Sequence, residues 1–181
     1  MVLSHLTIEL RPWSTEDVSI LERTVGNPVM MEHLGGIEDA GQIAARHSRY
    51  LDTSEKGAMF TIRLGAHSVI AGTVGFWERT WLGELVYEAG WMVSPEYARH
   101  GIATAAATAV VQRARACVEH RFLHAFPAVS NVASNIVCAR AGFSNFGACS
   151  FEYPKGHAMR CNDWRVDLRE ETVSQTAHPS I

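Results

Sequence analysis

The chain has 181 residues, 47% hydrophobic and 19% charged, a balance that fits one soluble globular domain with a real core. Its formal net charge is −3 and it has no basic run or patch, which argues against nucleic acid as a partner. The opening segment MVLSHLTIELRPW lacks a basic region, a long apolar run and a cleavage site, and the apolar stretch Ile102 to Val111 is too short to span a bilayer. The expectation is a cytoplasmic protein with no membrane contact, its cysteines (Cys117, Cys138, Cys149 and Cys161) reduced.

LTIELRP alternates apolar and polar residues and reads as a strand ending at Pro12. Ser14 stands before Asp17 at capping-box spacing, opening a helix through Leu21. GNPVMMEHLGG is a loop, and a second helix runs from about Glu38 to Leu51, with Ile43, Ala44, His47 and Leu51 on one side. AMFTIRL, SVIAGTVGFWE and ELVYEAGWMV follow as strands. In the last of these, Leu85, Tyr87, Ala89, Trp91 and Val93 form one face, expected in the core, and Glu88 stands on the other between Val86 and Gly90.

A third helix begins after Gly101, with Ile102, Ala106, Ala109, Val110 and Cys117 on one face and Thr104, Thr108, Gln112, Arg115 and Glu119 on the other. RFLHAFPAV is a strand, and Asn131 to Arg140 is a helix stopped by Gly142. Two strands, around Gly147–Tyr153 and Asn162–Leu168, are joined by PKGHAMR, and ETVSQTAHPSI is a loose tail. No repeat or linker divides the chain, so residues 1–170 read as one α/β domain and 171–181 as its tail.

The segment SPEYARHGIATAA is the most informative. Bare amides at a helix start, aided by the helix dipole, attract an anion, and small residues at Gly101, Ala103 and Ala105 let a phosphate reach them. Arg99 and His100 add charge beside the turn. The alternative is a strand-to-helix turn that is merely small. Neither a P-loop nor a G-x-G-x-x-G pattern occurs there.

WMVSPEYARHGIATAA resembles the strand–loop–helix with which the GNAT superfamily of acetyl-CoA-dependent N-acetyltransferases holds the coenzyme A pyrophosphate. Gly101 and Ala103 match the last two positions of its Q/R-x-x-G-x-G/A signature, whereas Ala98 stands where Gln or Arg is usual, beside Arg99. NVASNIVCARAGF is similar to the family's N-x-x-S…G-F helix through Asn131, Ser134, Gly142 and Phe143. LRPWSTED and GTVGFW resemble the branch that contains the RimJ and RimL ribosomal-protein acetyltransferases. The resemblance implies an α+β fold: a mostly antiparallel, twisted sheet, its fourth and fifth strands splayed, flanked by about four helices. It also implies acetyl-CoA as cofactor, contacted by Met92, Val93, Arg99, His100, Gly101, Ile102, Ala103, Thr104, Asn131 and Arg140.

Acetyl transfer to an amine needs a base for the amine, a polarised carbonyl and a proton for the leaving thiol. Glu88 is the first candidate base, as a mid-strand acid that is either functional or paired with a structural arginine. Glu152 is the second, either catalytic or an exposed strand charge, and Asp163 ranks below both. Many relatives place a tyrosine acid where this chain has Cys138, which leaves Ser134 as the nearest hydroxyl. Cys138 itself reads as a small core residue. The nine histidines form no zinc-spaced set, and no metal is expected.

Trp77, Trp81, Tyr153 and Trp164, with Glu152, suggest a shaped, partly acidic acceptor pocket. The leading expectation is transfer to a primary amine of a small molecule, as in antibiotic-modifying enzymes of the kasugamycin 2′-N-acetyltransferase kind. Competing readings are a protein N-terminal α-amine acetyltransferase and a non-catalytic acyl-CoA-binding module. A homodimer is one assembly considered.

Overall fold

The computed structural model describes residues 7–52, 56–65, 69–153 and 156–170. The expected tail lies outside them, as do Leu6, Ser68, Pro154 and Lys155. The elements follow the expected order: β1 (Ile8–Pro12), α1 (Val18–Thr24), α2 (Ala40–Leu51), β2 (Gly57–Leu64), β3 (Val69–Trp81), β4 (Glu84–Val93), α3 (Ile102–Cys117), β5 (Phe122–Ala125), α4 (Val132–Arg140), β6 (Ser144–Glu152) and β7 (Ala158–Asp167). Ser14 and Asp17 open a short 3-10 turn over Thr15–Asp17 rather than α1 itself. The Asp17 carboxylate accepts from both the Ser14 amide (2.8 Å) and hydroxyl (2.7 Å) and pairs with Arg63 at 3.1 Å. α2 starts later than expected because Asp39 caps it, trading hydrogen bonds with Gln42.

The strands form one seven-stranded sheet in the order β1-β2-β3-β4-β5-β7-β6. Every pairing is antiparallel except β4 with β5, which is parallel and only two residue pairs long: Tyr87 with Leu123 and Glu88 with His124. Beyond these pairs the two strands part. β5 is shorter than expected because Pro127 has no amide to donate; its carbonyl accepts from Asn162 instead, at 2.9 Å, and Ala128 bridges to Cys161.

Both faces of the sheet are covered. Phe60, Ile62, Val74, Phe76, Tyr87, Ala89 and Leu123 pack with α3 residues and Cys138 of α4 in the larger core. Trp13, Ile20, Leu21, Val25, Met31 and Ile43 form the second core on the α1–α2 side. Two residues expected inside are outside: Leu85 is 55% exposed and Cys117 is exposed. Lengths explain the first. A 16-residue helix spans about 24 Å, while a 10-residue strand spans about 33 Å, so α3 ends short of the start of β4. Its buried stripe runs through Ala107, Val111 and Ala114 as well as Ile102, Ala106 and Val110.

The sheet also rolls toward the α1–α2 side. Arg79 on β3 lies 4.1 Å from the Phe151 ring on β6, although β4, β5 and β7 stand between those strands in the sheet order. This roll gathers side chains from five strands over the point where β4 and β5 separate. Among the described residues no helix is long and apolar enough to cross a membrane.

Candidate active site

Three features meet where β4 and β5 part. The first is the gap itself: past Glu88, β4 has no neighbour on its β5 side, which leaves the edge at Met92 and Val93, both half-buried, open. The second is the turn into α3. Gly101 is the helix N-cap with φ +78°, and Arg99 also has a positive φ, +65°. The amides from Ile102 through Thr104 lack intrahelical acceptors, and among the described residues no side chain caps them. A Cβ built on Gly101 would meet nothing within 4 Å. The glycine is therefore required by its φ and not by packing, and open space surrounds its Cβ position, with exposed Arg99 and His100 alongside. An anionic pyrophosphate fits this cradle.

The third feature is a polar row on the α1–α2 face. Glu88 and His124 are register partners and stand side by side. Glu88 Oε2 accepts from Arg79 Nη1 at 2.6 Å and from Trp77 Nε1 at 3.2 Å. The Glu88 carboxyl is buried, and burial pushes its pKa up against the opposing pull of Arg79. Of the two alternatives raised by the sequence, the pairing with an arginine is present, on an acid that is buried. Gly90 follows on the same face because the Trp77 ring lies over it; a Cβ there would come within 2.7 Å of that ring.

His124 is 3% exposed and its Nδ1 lies 2.6 Å from Asp163 Oδ1. The other Asp163 oxygen accepts from Trp81 Nε1 at 3.2 Å. Sequence reasoning found no signal for His124 beyond the absence of zinc spacing, and it ranked Asp163 below both glutamates. The two are 39 positions apart and only the β5–β7 pairing joins them. Phe126 and Phe151 stack behind this row.

The remaining candidates are scattered. Asn131 caps α4, its side chain accepting from the Ser134 amide at 3.0 Å, so the N-x-x-S spacing is also a helix start. Ser134 is half-buried, and no described residue is hydrogen-bonded to its hydroxyl. Arg140 is exposed in the last turn of α4. Glu152 is exposed at the far end of β6 and accepts from the Gly156 amide. Tyr153 bridges to α2, its hydroxyl 2.6 Å from Arg46. Trp164 does not belong to the acceptor side: its alternation with Asp163 turns it to the α3–α4 face, where it packs on the larger core and donates to Asn135 at 2.8 Å.

Cys138 is fully buried with its pKa pushed up to about 12, and burial raises those of Cys161, to about 11, and Cys149. None of the three is a poised thiolate. Glu78, Glu119 and His120 bring ligand atoms within 4.8 Å of one another, a spacing the sequence did not reveal. They lie on the α3 face, where Lys56 and His120 already pair with Glu78.

A groove of about 680 Å³ flanks the open end of the splay. It runs between Glu32–Gly36, the residues Ala128, Val129 and Ser130 after β5, and His157, Met159 and Arg160 of the β6–β7 hairpin.

The family model of the acetyltransferase (GNAT) domain matches residues 7–144. No curated protein matches the chain in sequence. In structure it is similar to an acetyltransferase of the GNAT family from Bacillus anthracis, with 19% identity and a TM-score of 0.74 over 90% of this chain and 96% of that one. It is also similar to the spermidine N-acetyltransferase from Vibrio cholerae in complex with CoA and spermine, at 14% identity and TM-score 0.73, covering 89% and 95%. A third similar structure is AAC(6′)-Ib in complex with parmomycin and acetyl-CoA, at 17% identity and TM-score 0.74, covering 93% and 99%. At these identities the structures speak for the fold, and the family assignment rests on the domain match. The parallel β4–β5 splay, the open glycine turn into α3 and that match together place the chain in the GNAT acetyltransferase family, as an acyltransferase that uses acetyl-CoA.

Proposed function

We propose that the chain moves an acetyl group from acetyl-CoA to a primary amine of a small molecule, with aminoglycoside-type antibiotics as the first acceptors to test. The observation that carries this is the groove of about 680 Å³ beside the open splay, a size suited to a small ligand. Bound acetyl-CoA supplies the activated acetyl thioester. In this reading the amides of Ile102, Ala103 and Thr104 hold its pyrophosphate, Arg99 and His100 add charge, and the open edge at Met92 and Val93, with Asn131 opposite, orients its arm. Outside the groove's own lining, Glu88 at the β4–β5 pairing and Glu152 at the end of β6 supply negative charge that draws in an acceptor ammonium group, with Trp77 against Glu88, Trp81 against Asp163 and Tyr153 tied to α2. Arg160 stands in the groove with Glu32. Among aminoglycoside-type acceptors, those with few ammonium groups are therefore the better fit here.

Thiol release from acetyl-CoA against a panel of aminoglycosides, polyamines, simple amines and N-terminal peptides tests the reading. Release with small amines is expected. Release with peptides alone would instead support a RimJ- or RimL-like N-terminal acetyltransferase, and release with no amine a binding module.

Ser134, whose hydroxyl no described residue claims, is assigned to protonating the leaving thiol. Ser134→Ala is expected to lower kcat by roughly 100-fold while the acetyl-CoA Kd stays within about twofold, the signature of a contact made in the transition state. Unchanged turnover would remove Ser134 from the chemistry.

A further inference from the structure

We propose that His124, held by Asp163, is the group that takes the proton from the acceptor amine. This rests on the reading of the splay as the place of acetyl transfer. The two titratable side chains nearest that point are Glu88 and His124, and their surroundings divide the work.

Glu88 is already engaged: its Oε2 takes both the Arg79 guanidinium and the Trp77 indole. Protonating it would strip the counter-ion from Arg79, whose Nε is buried without a partner. His124 is the reverse case. Asp163 is fixed by Trp81 on one oxygen and faces the imidazole Nδ1 with the other. A carboxylate acceptor there keeps the proton on Nδ1 and leaves the Nε2 lone pair free. The ring plane is held by Phe126, stacked at 5.6 Å and 14°, and by the edge contact with Phe122. No described residue is hydrogen-bonded to Nε2, yet Nε2 is not among the sealed, unpartnered polar atoms, so it reaches accessible space.

The imidazolium that proton capture creates faces Asp163 at Nδ1. The groups facing His124 are Glu88 on β4, Asp163 and Arg165 on β7, and Arg79 on β3 behind Glu88. Arg165 is drawn off against the Phe122 and Phe146 rings, at 4.4 and 3.8 Å, and Arg79 is matched by Glu88. Asp163 remains to balance the new charge. In the step itself the amine lone pair forms the C–N bond and the C–S electron pair leaves on sulfur. The N–H proton passes to Nε2, and Ser134 gives its hydroxyl proton to the leaving thiolate. The imidazolium proton, passed through water, restores the Ser134 hydroxyl and returns His124 to its neutral form.

The test combines two variants and two readouts. Long-range 15N–1H NMR on labelled protein, with His124 assigned by difference from His124→Gln, is expected to show the Nδ1–H tautomer at pH 7.5. Asp163→Asn, whose amide can donate to Nδ1, is expected to move the proton to Nε2. With the panel amine that gives most thiol release, His124→Gln is expected to lower kcat/KM by roughly 100-fold or more at pH 7, with partial recovery at alkaline pH. Asp163→Asn keeps the side chain's shape and is expected to lose most of that activity too, with the acetyl-CoA Kd unchanged in both. A His124→Gln pH–rate profile that overlays the parent, or an Nε2–H tautomer in the parent, overturns the proposal. If no amine in the panel reacts, the functional reading fails, and the NMR arm still decides whether His124 is poised as a base.

Discussion

Replacing Gly101 with valine will weaken acetyl-CoA binding by about 100-fold or more, equivalent to roughly 2.7 kcal/mol, while the fold persists. Gly101 has a φ of +78°, and a β-branched residue is strained there. That strain costs on the order of 1–3 kcal/mol. It falls on a turn whose helix is anchored by six buried side chains, Ile102, Ala106, Ala107, Val110, Val111 and Ala114. Apart from its chain neighbours, no atom of the described residues lies within 4 Å of the Cβ position, so added bulk meets no neighbour and occupies open space at the mouth of the helix. Gly101→Ala carries a similar φ strain with less bulk, and the difference between the two variants isolates obstruction from strain. Calorimetric titration with acetyl-CoA, alongside far-ultraviolet circular dichroism, makes the measurement. Parent-like affinity in the valine variant would move the phosphate site away from this turn.

Gly101 was legible in the sequence because its signal is local: a glycine after a strand, then small residues and a helix. The order of strands and helices was legible for the same reason, through period and punctuation. What the sequence hid depends on how distant segments meet. Arg79 reaches Glu88 because β3 and β4 form a hairpin, and His124 meets Asp163 through the pairing of β5 with β7. Trp81 and Asp163 are 82 positions apart and join only because the sheet rolls. Trp164 was grouped with the pocket for its aromatic character, although alternation with Asp163 sets it on the other face, and that alternation was available in the sequence. Asn131 shows a local signal with two readings, since a residue beside a cofactor arm and a helix cap share the same N-x-x-S spacing. The fate of Leu85 turned on the relative lengths of strand and helix, which periodicity alone does not compare.

Glu88→Ala will destabilise the fold by about 2 kcal/mol, below the roughly 3–5 kcal/mol for breaking a fully buried pair because Arg79 keeps 29% of its side-chain surface. The loss comes from what remains: a guanidinium without its counter-ion and an indole N–H without an acceptor. Glu88→Gln keeps an oxygen for both donors and should cost far less. Its pH dependence carries the sharper test. Burial outweighs Arg79 and raises the Glu88 pKa, so between the unfolded and folded values the native state holds more protons than the unfolded one. The stabilisation is then full below the ordinary glutamate value and fades as pH rises through the raised one. Glutamine is neutral throughout and lacks this slope, so Glu88→Gln should gain on the parent as pH increases from about 4, the ordinary glutamate range. Urea denaturation of the three proteins at several pH values reads both effects. If Glu88→Gln lost ground to the parent with rising pH, the ion pair with Arg79 would dominate burial, and Glu88 would be a structural anchor with a lowered pKa. If the sign is as expected, the charge on Glu88 is held at a cost to stability at the β4–β5 pairing, and the same Glu88→Gln variant should raise the acceptor KM more than it lowers kcat.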